Sequence, residues 1–229
     1  MTFNGFPKAG LGFLAALADD NTKAFFDANR QTYDEMLLEP AKAFVGEAGA
    51  ALRERVSPEI RAEPRISGSI LRPNRDTRFG KDKSPYKTYF DLWFWEGDRP
   101  SRECPGFFFR LTPEALMLGA GMHRFDPTTL ARYRAAVTDA HAGAALDDAV
   151  RTVTRAGNVE LGGRNLARVP KGAAPDHPRA ALLRHTGLFV FTAHQPVPAT
   201  AHTRRFTGWC VERFARMAPI HRWLADNLF

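Results

Sequence analysis

The 229-residue chain has only two cysteines and no apolar run long enough to cross a membrane. Cys104 and Cys210 form no C-x-x-C pair, which excludes a disulfide framework and favours structural thiols in a reducing compartment. A transmembrane helix needs about 18 consecutive apolar residues. The apolar run before Ala16-Leu17-Ala18 is broken by Gly12 and is too short for a secretory signal, which needs about 7–15 apolar residues. We therefore expect a cytoplasmic protein that does not enter membranes.

The sequence also lacks the fingerprints of common catalytic, cofactor and metal sites. It has no Gly-x-Ser-x-Gly elbow, Walker loop or dinucleotide fingerprint, so no cofactor is predicted. The histidines between positions 177 and 202 lie eight or nine residues apart, which is not metal-ligand spacing, so no metal site is predicted. Gly119-x-Gly121 falls on one face of a predicted strand, where close packing is favoured over a phosphate loop.

What the chain has in excess is positive charge, and much of it lies in residues 72–88, RPNRDTRFGKDKSPYKT. The formal net charge of the chain is +7. Against Asp76 and Asp82, this stretch has six cationic side chains and thus a local net charge of +4. The six are Arg72, Arg75, Arg78, Lys81, Lys83 and Lys87. A surplus concentrated in this way attracts anions such as phosphates or nucleic acid.

The order of apolar patterns predicts an α+β fold with a mostly antiparallel sheet packed by N-terminal and C-terminal helices. A chain of this length can bury the core of one domain, so we expect a single domain over 1–229. Within it, 1–58 are expected to be helical, 64–195 to contain the sheet and 200–229 to form C-terminal helices.

Helical periodicity is clearest at the two ends of the chain. Leu11 to Leu17 mark a short amphipathic helix. A second helix is expected from about Thr22 until Pro40, which would stop it and open a third. At the other end we expect two helices, one over Phe206 to Met217 and one over Ile220 to Leu228.

Strand patterns occupy the middle of the chain. Residues 88–95 are largely apolar or aromatic on both faces, which predicts a strand covered on both sides. Residues 107–111 and 115–122 flank a short turn and predict a hairpin. Asp126-Pro127 carries both start signals of a helix. Residues 157–178, rich in glycine, proline and alanine, are expected to form a long ordered loop or a lid.

The basic stretch and its neighbours resemble a family of bacterial and fungal conserved hypothetical proteins, the domain of unknown function 2461. The family pattern combines an N-terminal Gly-Phe, a helical Phe-x-x-Asn-Arg-x-x-Tyr and R-D-x-R-F-x-x-D-K-x-P-Y-K. The matching segments here are Gly5-Phe6, Phe26 to Tyr33, Arg75 to Lys87, Gly119-x-Gly121, Leu130 to Arg134, and Pro170-Lys171-Gly172 with His177-Pro178. Gly80 departs from the small polar residue expected there. The resemblance covers nearly the whole chain and implies no particular activity.

Three interpretations of residues 72–88 stay open, and the first is a solvated basic loop. Its aspartates would then form only weak surface ion pairs. Phe79 and Tyr86 argue against a free loop, because both side chains would anchor the segment against the rest of the protein.

The second interpretation is an anion site, since guanidinium groups bind phosphate or carboxylate with two hydrogen bonds and lysines add point charge. Asp76 would hold the neighbouring guanidiniums in place. The ligand would be a small metabolite, a nucleotide or nucleic acid, whose bases Tyr86, Tyr89, Trp93 and Trp95 could stack on. Strand packing explains the last three aromatics equally well. The predicted ligand-binding residues are Arg75, Arg78, Lys83 and Lys87, with Arg72 and Lys81 peripheral and Arg30 and Tyr86 in support.

The third interpretation is catalysis, with Asp76 or Asp82 as a general base beside stabilising cations. Nearby cations lower the pKa of a carboxyl group, which makes it a poor general acid and a weak base near neutrality. Whether the protein is an enzyme therefore stays open. The alternative function is a non-catalytic module whose basic motif docks an acidic partner or serves only the fold.

Overall fold

The computed structural model describes residues 2–78, 81–155 and 157–229. It shows an α+β fold in which N-terminal and C-terminal helices pack on an antiparallel sheet, as the sequence predicted. Contacts group the chain into two units. The first unit comprises Met1–Phe94, Phe108–Met117 and His194–Glu212, and the second comprises Trp95–Phe107, Leu118–Ala193 and Arg213–Phe229. The single-domain expectation stays a prediction.

The N-terminal helices follow the predicted apolar periodicity but not the predicted break. They are α1 (Lys8–Asp19), α2 (Lys23–Ala28), α3 (Arg30–Tyr33) and α4 (Glu39–Arg55). Thr22 caps α2 by accepting a hydrogen bond from the backbone N–H of Phe25 at 3.1 Å. Pro40 lies in the first turn of α4, as predicted, but the prediction that it stops the preceding helix is wrong, because the helical backbone continues into α4. A π-helical turn, Asp34–Leu38, precedes α4, so the proline falls in a first turn, where a missing N–H is tolerated.

The described residues form a seven-stranded sheet in the order β1-β2-β3-β4-β6-β5, with β7 also paired to β4. The strands are β1 (Ile60–Arg61), β2 (Phe90–Glu96), β3 (Gly106–Leu111), β4 (Ala115–Met122), β5 (Val159–Arg164), β6 (His185–Thr192) and β7 (Gln195–Pro196). Strands β3 and β4 are the predicted hairpin. Five of the seven residues of β2 are buried, as a largely covered strand predicts, but Trp93 and Glu96 are only half-buried.

The core of the first unit is a cluster of phenylalanine rings. Phe44 of α4 lies 5.5 Å from Phe109 of β3, measured between ring centroids. Phe6 lies 6.0 Å from Phe109 and 6.4 Å from Phe90 of β2. Phe206 packs on both Phe44 and Phe109. These contacts place N-terminal and C-terminal residues on one face of β2 and β3.

The second unit contains α5 (Pro127–Thr138) and α6 (Ala140–Arg155). Asp126 caps α5 as predicted, with its carboxylate accepting from two backbone N–H groups at 2.8 and 3.0 Å. The prediction that 157–178 form a loop throughout is wrong, because Val159–Arg164 pair with β6 as strand β5. The long connection therefore begins only after Arg164.

The C-terminal helix and the paired glycines show how packing overrides local rules. The two predicted C-terminal helices are one helix, α7 (Phe206–Leu228), which continues through Pro219. The proline removes one backbone hydrogen bond, and burial of neighbouring apolar side chains offsets the loss.

A Cβ on Gly121, whose φ is +129°, would lie 2.3 Å from the carbonyl oxygen of Leu188, and one on Gly119 would lie 2.8 Å from that of Val190. The packing interpretation of Gly119 and Gly121 is therefore confirmed.

Candidate anion-binding site

Residues 72–78 and 81–87 form a two-armed structure, which we call the basic hairpin. The backbone N–H of Arg75 donates to the carbonyl of Pro85, and that of Lys87 donates to the carbonyl of Pro73, both at 2.8 Å. Phe79 and Gly80 lie outside the described residues, so the predicted anchoring role of Phe79 stays a prediction. The charged stretch is thus a paired segment with a defined backbone.

A side-chain clip fastens the basic hairpin to the N-terminal helices. Asn21, between α1 and α2, donates to the carbonyl of Tyr86 and accepts from its N–H, both at 3.0 Å. The ring of Tyr86 is 6% exposed and stacks on Phe26 at 4.2 Å with 10° between the ring planes. Tyr86 therefore anchors the hairpin as the sequence predicted, and Asn21 is a partner that the sequence reasoning missed.

Arg75 is held across the hairpin by the opposite arm. Its Nη1 contacts Asp82 and donates to the Ser84 hydroxyl at 3.1 Å. Asp82 in turn accepts from the backbone N–H and the hydroxyl of Ser84, at 2.9 and 2.7 Å. These hydrogen bonds from Ser84, together with the Arg75 charge, lower the pKa of the Asp82 carboxyl group.

Arg78 forms a separate pair with Asp76 near the end of the first described arm. Its Nε and Nη2 donate to the two carboxylate oxygens at 2.9 and 2.8 Å. The Arg78 hydrogen bonds hold the pKa of Asp76 well below its usual range. The sequence reasoning expected Asp76 to orient both neighbouring guanidiniums, but in the structure Asp76 binds Arg78 while Asp82 binds Arg75.

The lysines of the basic hairpin point back to its own backbone or into solvent. Lys83 donates to the carbonyl of Thr77 at 2.8 Å, and Lys87 donates to the carbonyl of Arg72 at 2.9 Å. The side chains of Arg72 and Lys81 are exposed. Four of the six predicted cations are thus held in place, and these four are the ones predicted to contact a ligand.

Arg30 lies on the helical side of the clip. Its guanidinium is 3.2 Å from Asp27 and 5.3 Å from the ring centroid of Phe26, the residue that stacks on Tyr86. Arg30 therefore forms an ion pair within the helical region, with Asp27. Arg30 would therefore support the basic hairpin only indirectly, by packing on the Phe26 ring that stacks on Tyr86.

A second charged pair, which the sequence reasoning missed, lies in the first unit on β2 and β3. Asp91 accepts two hydrogen bonds from Arg110, at 2.8 and 2.9 Å, and its side chain is only 4% exposed. The Arg110 guanidinium also lies 3.8 Å from the ring centroid of Tyr89. Burial disfavours the Arg110 charge, but the Asp91 carboxylate outweighs burial and raises the pKa of Arg110. A lone aspartate inside an aromatic strand was the available signal.

The described part of the chain contains neither a candidate metal cluster nor a membrane-spanning helix. No group of three or more His, Cys, Asp or Glu side chains there could hold a metal ion. Cys104 and Cys210 are both buried, and neither forms a disulfide. Among the described helices, none is long and apolar enough to span a bilayer. The cytoplasmic location stays a prediction.

The fold and the basic hairpin define the class of protein as an α+β protein with a charged two-armed segment fastened to its N-terminal helices. The chain belongs to the family described as conserved hypothetical protein (DUF2461), whose family model matches residues 9–223. This membership confirms the resemblance stated from the sequence. No curated protein matches the chain.

Proposed function

We propose that the basic hairpin binds a phosphorylated or otherwise anionic ligand. The observation that carries the proposal is that Arg75, Arg78, Lys83 and Lys87 are held in defined positions on a segment fastened to the N-terminal helices. Charges ordered before binding lose less conformational entropy when a ligand arrives. Such a segment is better suited to bind an anion than a mobile run of the same charge.

Arg75 of the basic hairpin keeps donors for a ligand. Arg75 contacts its partners only through Nη1, and within the described residues its Nε and Nη2 make no hydrogen bond. Its side chain is 36% exposed, and that of Arg78 is 74% exposed. A phosphate oxygen could therefore bind Arg75 without first breaking its contact with Asp82.

Asp76 and Asp82 fit a supporting role better than an acid role. Both carboxyl groups have lowered pKa values and are ionised at neutral pH. An ionised carboxylate cannot donate a proton, although it can orient a water molecule or a neighbouring guanidinium. Catalysis on the bound ligand is therefore a further hypothesis, with these two aspartates as its weak candidates.

A structural role for the basic hairpin is the second candidate function, and a specific observation favours it. Lys83 and Lys87 bond to backbone carbonyls of the hairpin itself, and each aspartate is bonded to an arginine. A segment whose charges satisfy one another can serve the fold alone. The same alternative includes a non-catalytic module, in which the exposed cations would dock an acidic partner.

Titration of ¹⁵N-labelled protein with inorganic phosphate separates the two functions. We expect saturable chemical-shift changes at the backbone amides of 72–78 and 81–88. The double variant Arg75→Gln/Arg78→Gln should lose these changes and remain folded. Arg65→Gln is the matched control, because Arg65 also forms an exposed pair with a glutamate two residues away, outside the hairpin. If the double variant unfolds and phosphate causes no local change in the wild type, the hairpin is structural.

A further inference from the structure

The first unit presents two different faces of β2 and β3. Phe90 packs on Phe6 of the phenylalanine core, Phe94 lies on the same side of β2 by strand alternation, and both are at most 3% exposed. Side chains alternate along a strand, so Trp93 shares the opposite face with Asp91. Tyr89, Trp93 and Phe108 are only half-buried. We call these three aromatics, together with Arg110, the aromatic face.

Arg110 occupies a fixed position on the aromatic face. Its Nε and Nη2 are bound by Asp91, and its carbon Cζ lies 3.8 Å from the ring centroid of Tyr89 and 5.2 Å from that of Phe108. Among the described residues, Nη1 of Arg110 makes no hydrogen bond, and the side chain is 29% exposed. A guanidinium held in this way can stack under a planar ring and donate from Nη1 to an acceptor.

The positive charge of the basic hairpin next to the aromatic face favours one class of planar ligand. The second arm of the basic hairpin ends at Lys87, and Tyr89 follows two residues later, a distance of at most about 7 Å along the chain. The Asp91 carboxylate neutralises Arg110 locally, so the aromatic face itself is suited to stacking and hydrogen bonding. The adjoining hairpin has a net charge of +4 and is suited to several phosphates. Stacking aromatics beside a cationic segment are the combination that binds single strands.

We propose that the aromatic face and the basic hairpin together bind single-stranded nucleic acid. Bases stack on Phe108 and the Arg110 guanidinium, Nη1 of Arg110 donates to a base or phosphate oxygen, and the hairpin cations bind the phosphates. This inference rests on the proposed anion-binding function and names its ligand class.

Paired oligonucleotides test the inference by fluorescence anisotropy. One strand is a labelled oligothymidylate, and the other has the same number of phosphates but abasic sugars. We expect the intact strand to bind about tenfold or more tightly than the abasic strand, the size of effect seen when base stacking is removed. Phe108→Leu, which keeps an apolar side chain but removes the ring, should reduce this difference. Ile66→Ala is the control, because Ile66 is an exposed apolar residue of the same unit, at 38%, outside the aromatic face.

The outcomes separate this inference from the function on which it rests. Equal affinities for the two strands would overturn base recognition and leave anion binding intact. Chemical-shift changes at the hairpin with inorganic phosphate, without binding of either strand, would also overturn base recognition and leave anion binding intact. Absence of both the phosphate response and strand binding would overturn both proposals. Circular dichroism of Phe108→Leu shows that the variant is folded before its affinity is compared.

Discussion

Asn21 is predicted to hold the basic hairpin in place without contributing charge. In a strand, neighbouring residues turn their backbone groups to opposite sides, so Lys87 and Pro85 bond to the other arm while Tyr86 faces Asn21. The Asn21→Ala variant loses two hydrogen bonds, each worth about 0.5–1.5 kcal/mol, so we expect a stability loss of about 1–3 kcal/mol. Because Tyr86 is buried, its freed N–H and C=O regain little water, and the loss should fall in the upper half of that range.

Urea denaturation and phosphate titration measure the two consequences of losing Asn21. Phosphate affinity should fall, because a hairpin released from the helices loses its ordered charges. Asn74→Ala is the matched control, since Asn74 is an exposed asparagine in the same hairpin. A stability change in Asn21→Ala below about 0.5 kcal/mol, or equal to that in Asn74→Ala, would refute the reasoning.

Three further predictions concern the strands and the titrating carboxylate. Gly121→Ala should lower the free energy of unfolding by about 2–5 kcal/mol, measured by urea denaturation, because the φ of Gly121 is +129° and a Cβ there would clash with β6. Gly12→Ala is the control: Gly12 faces open space in α1, so this variant should be more stable by about 0.5–1 kcal/mol. Arg110→Ala should lower the free energy of unfolding by about 3 kcal/mol, because it leaves the Asp91 carboxylate buried without its partner. A loss of stability under about 1 kcal/mol would contradict a buried pair. Folding lowers the pKa of the Asp82 carboxyl group, so the contribution of this group to stability is complete above about pH 4 and is lost as pH falls through the lowered value. The amide chemical shifts of the basic hairpin should show this acid transition. The Asp82→Asn variant should lack it.

Much of the fold could be predicted because its signals are local. Asp126-Pro127 starts α5 through its own side chain and ring, and the apolar alternation of 88–95 predicted a buried strand. The two prolines were misjudged for a common reason. Pro40 and Pro219 break helices only where no neighbouring structure accommodates them, and here a π-helical turn and buried flanking side chains do so.

The candidate site could be located from the sequence but not assembled from it. Charge density alone pointed to 72–88, and the aromatic ring of Tyr86 predicted an anchored segment. The pairing of Arg75 with Asp82 depends on the two arms meeting, which no local pattern encodes. The clip from Asn21 to Tyr86 joins residues 65 positions apart, so only the folded chain brings them together.

Calorimetric titration with pyrophosphate tests the central claim, anion binding by the basic hairpin, most directly. We expect saturable binding by the wild type that weakens as salt rises and is lost in the Arg75→Gln/Arg78→Gln variant. Arg65→Gln should bind like the wild type. Equal binding by the wild type and the double variant, or no binding by the wild type at low salt, would contradict the claim.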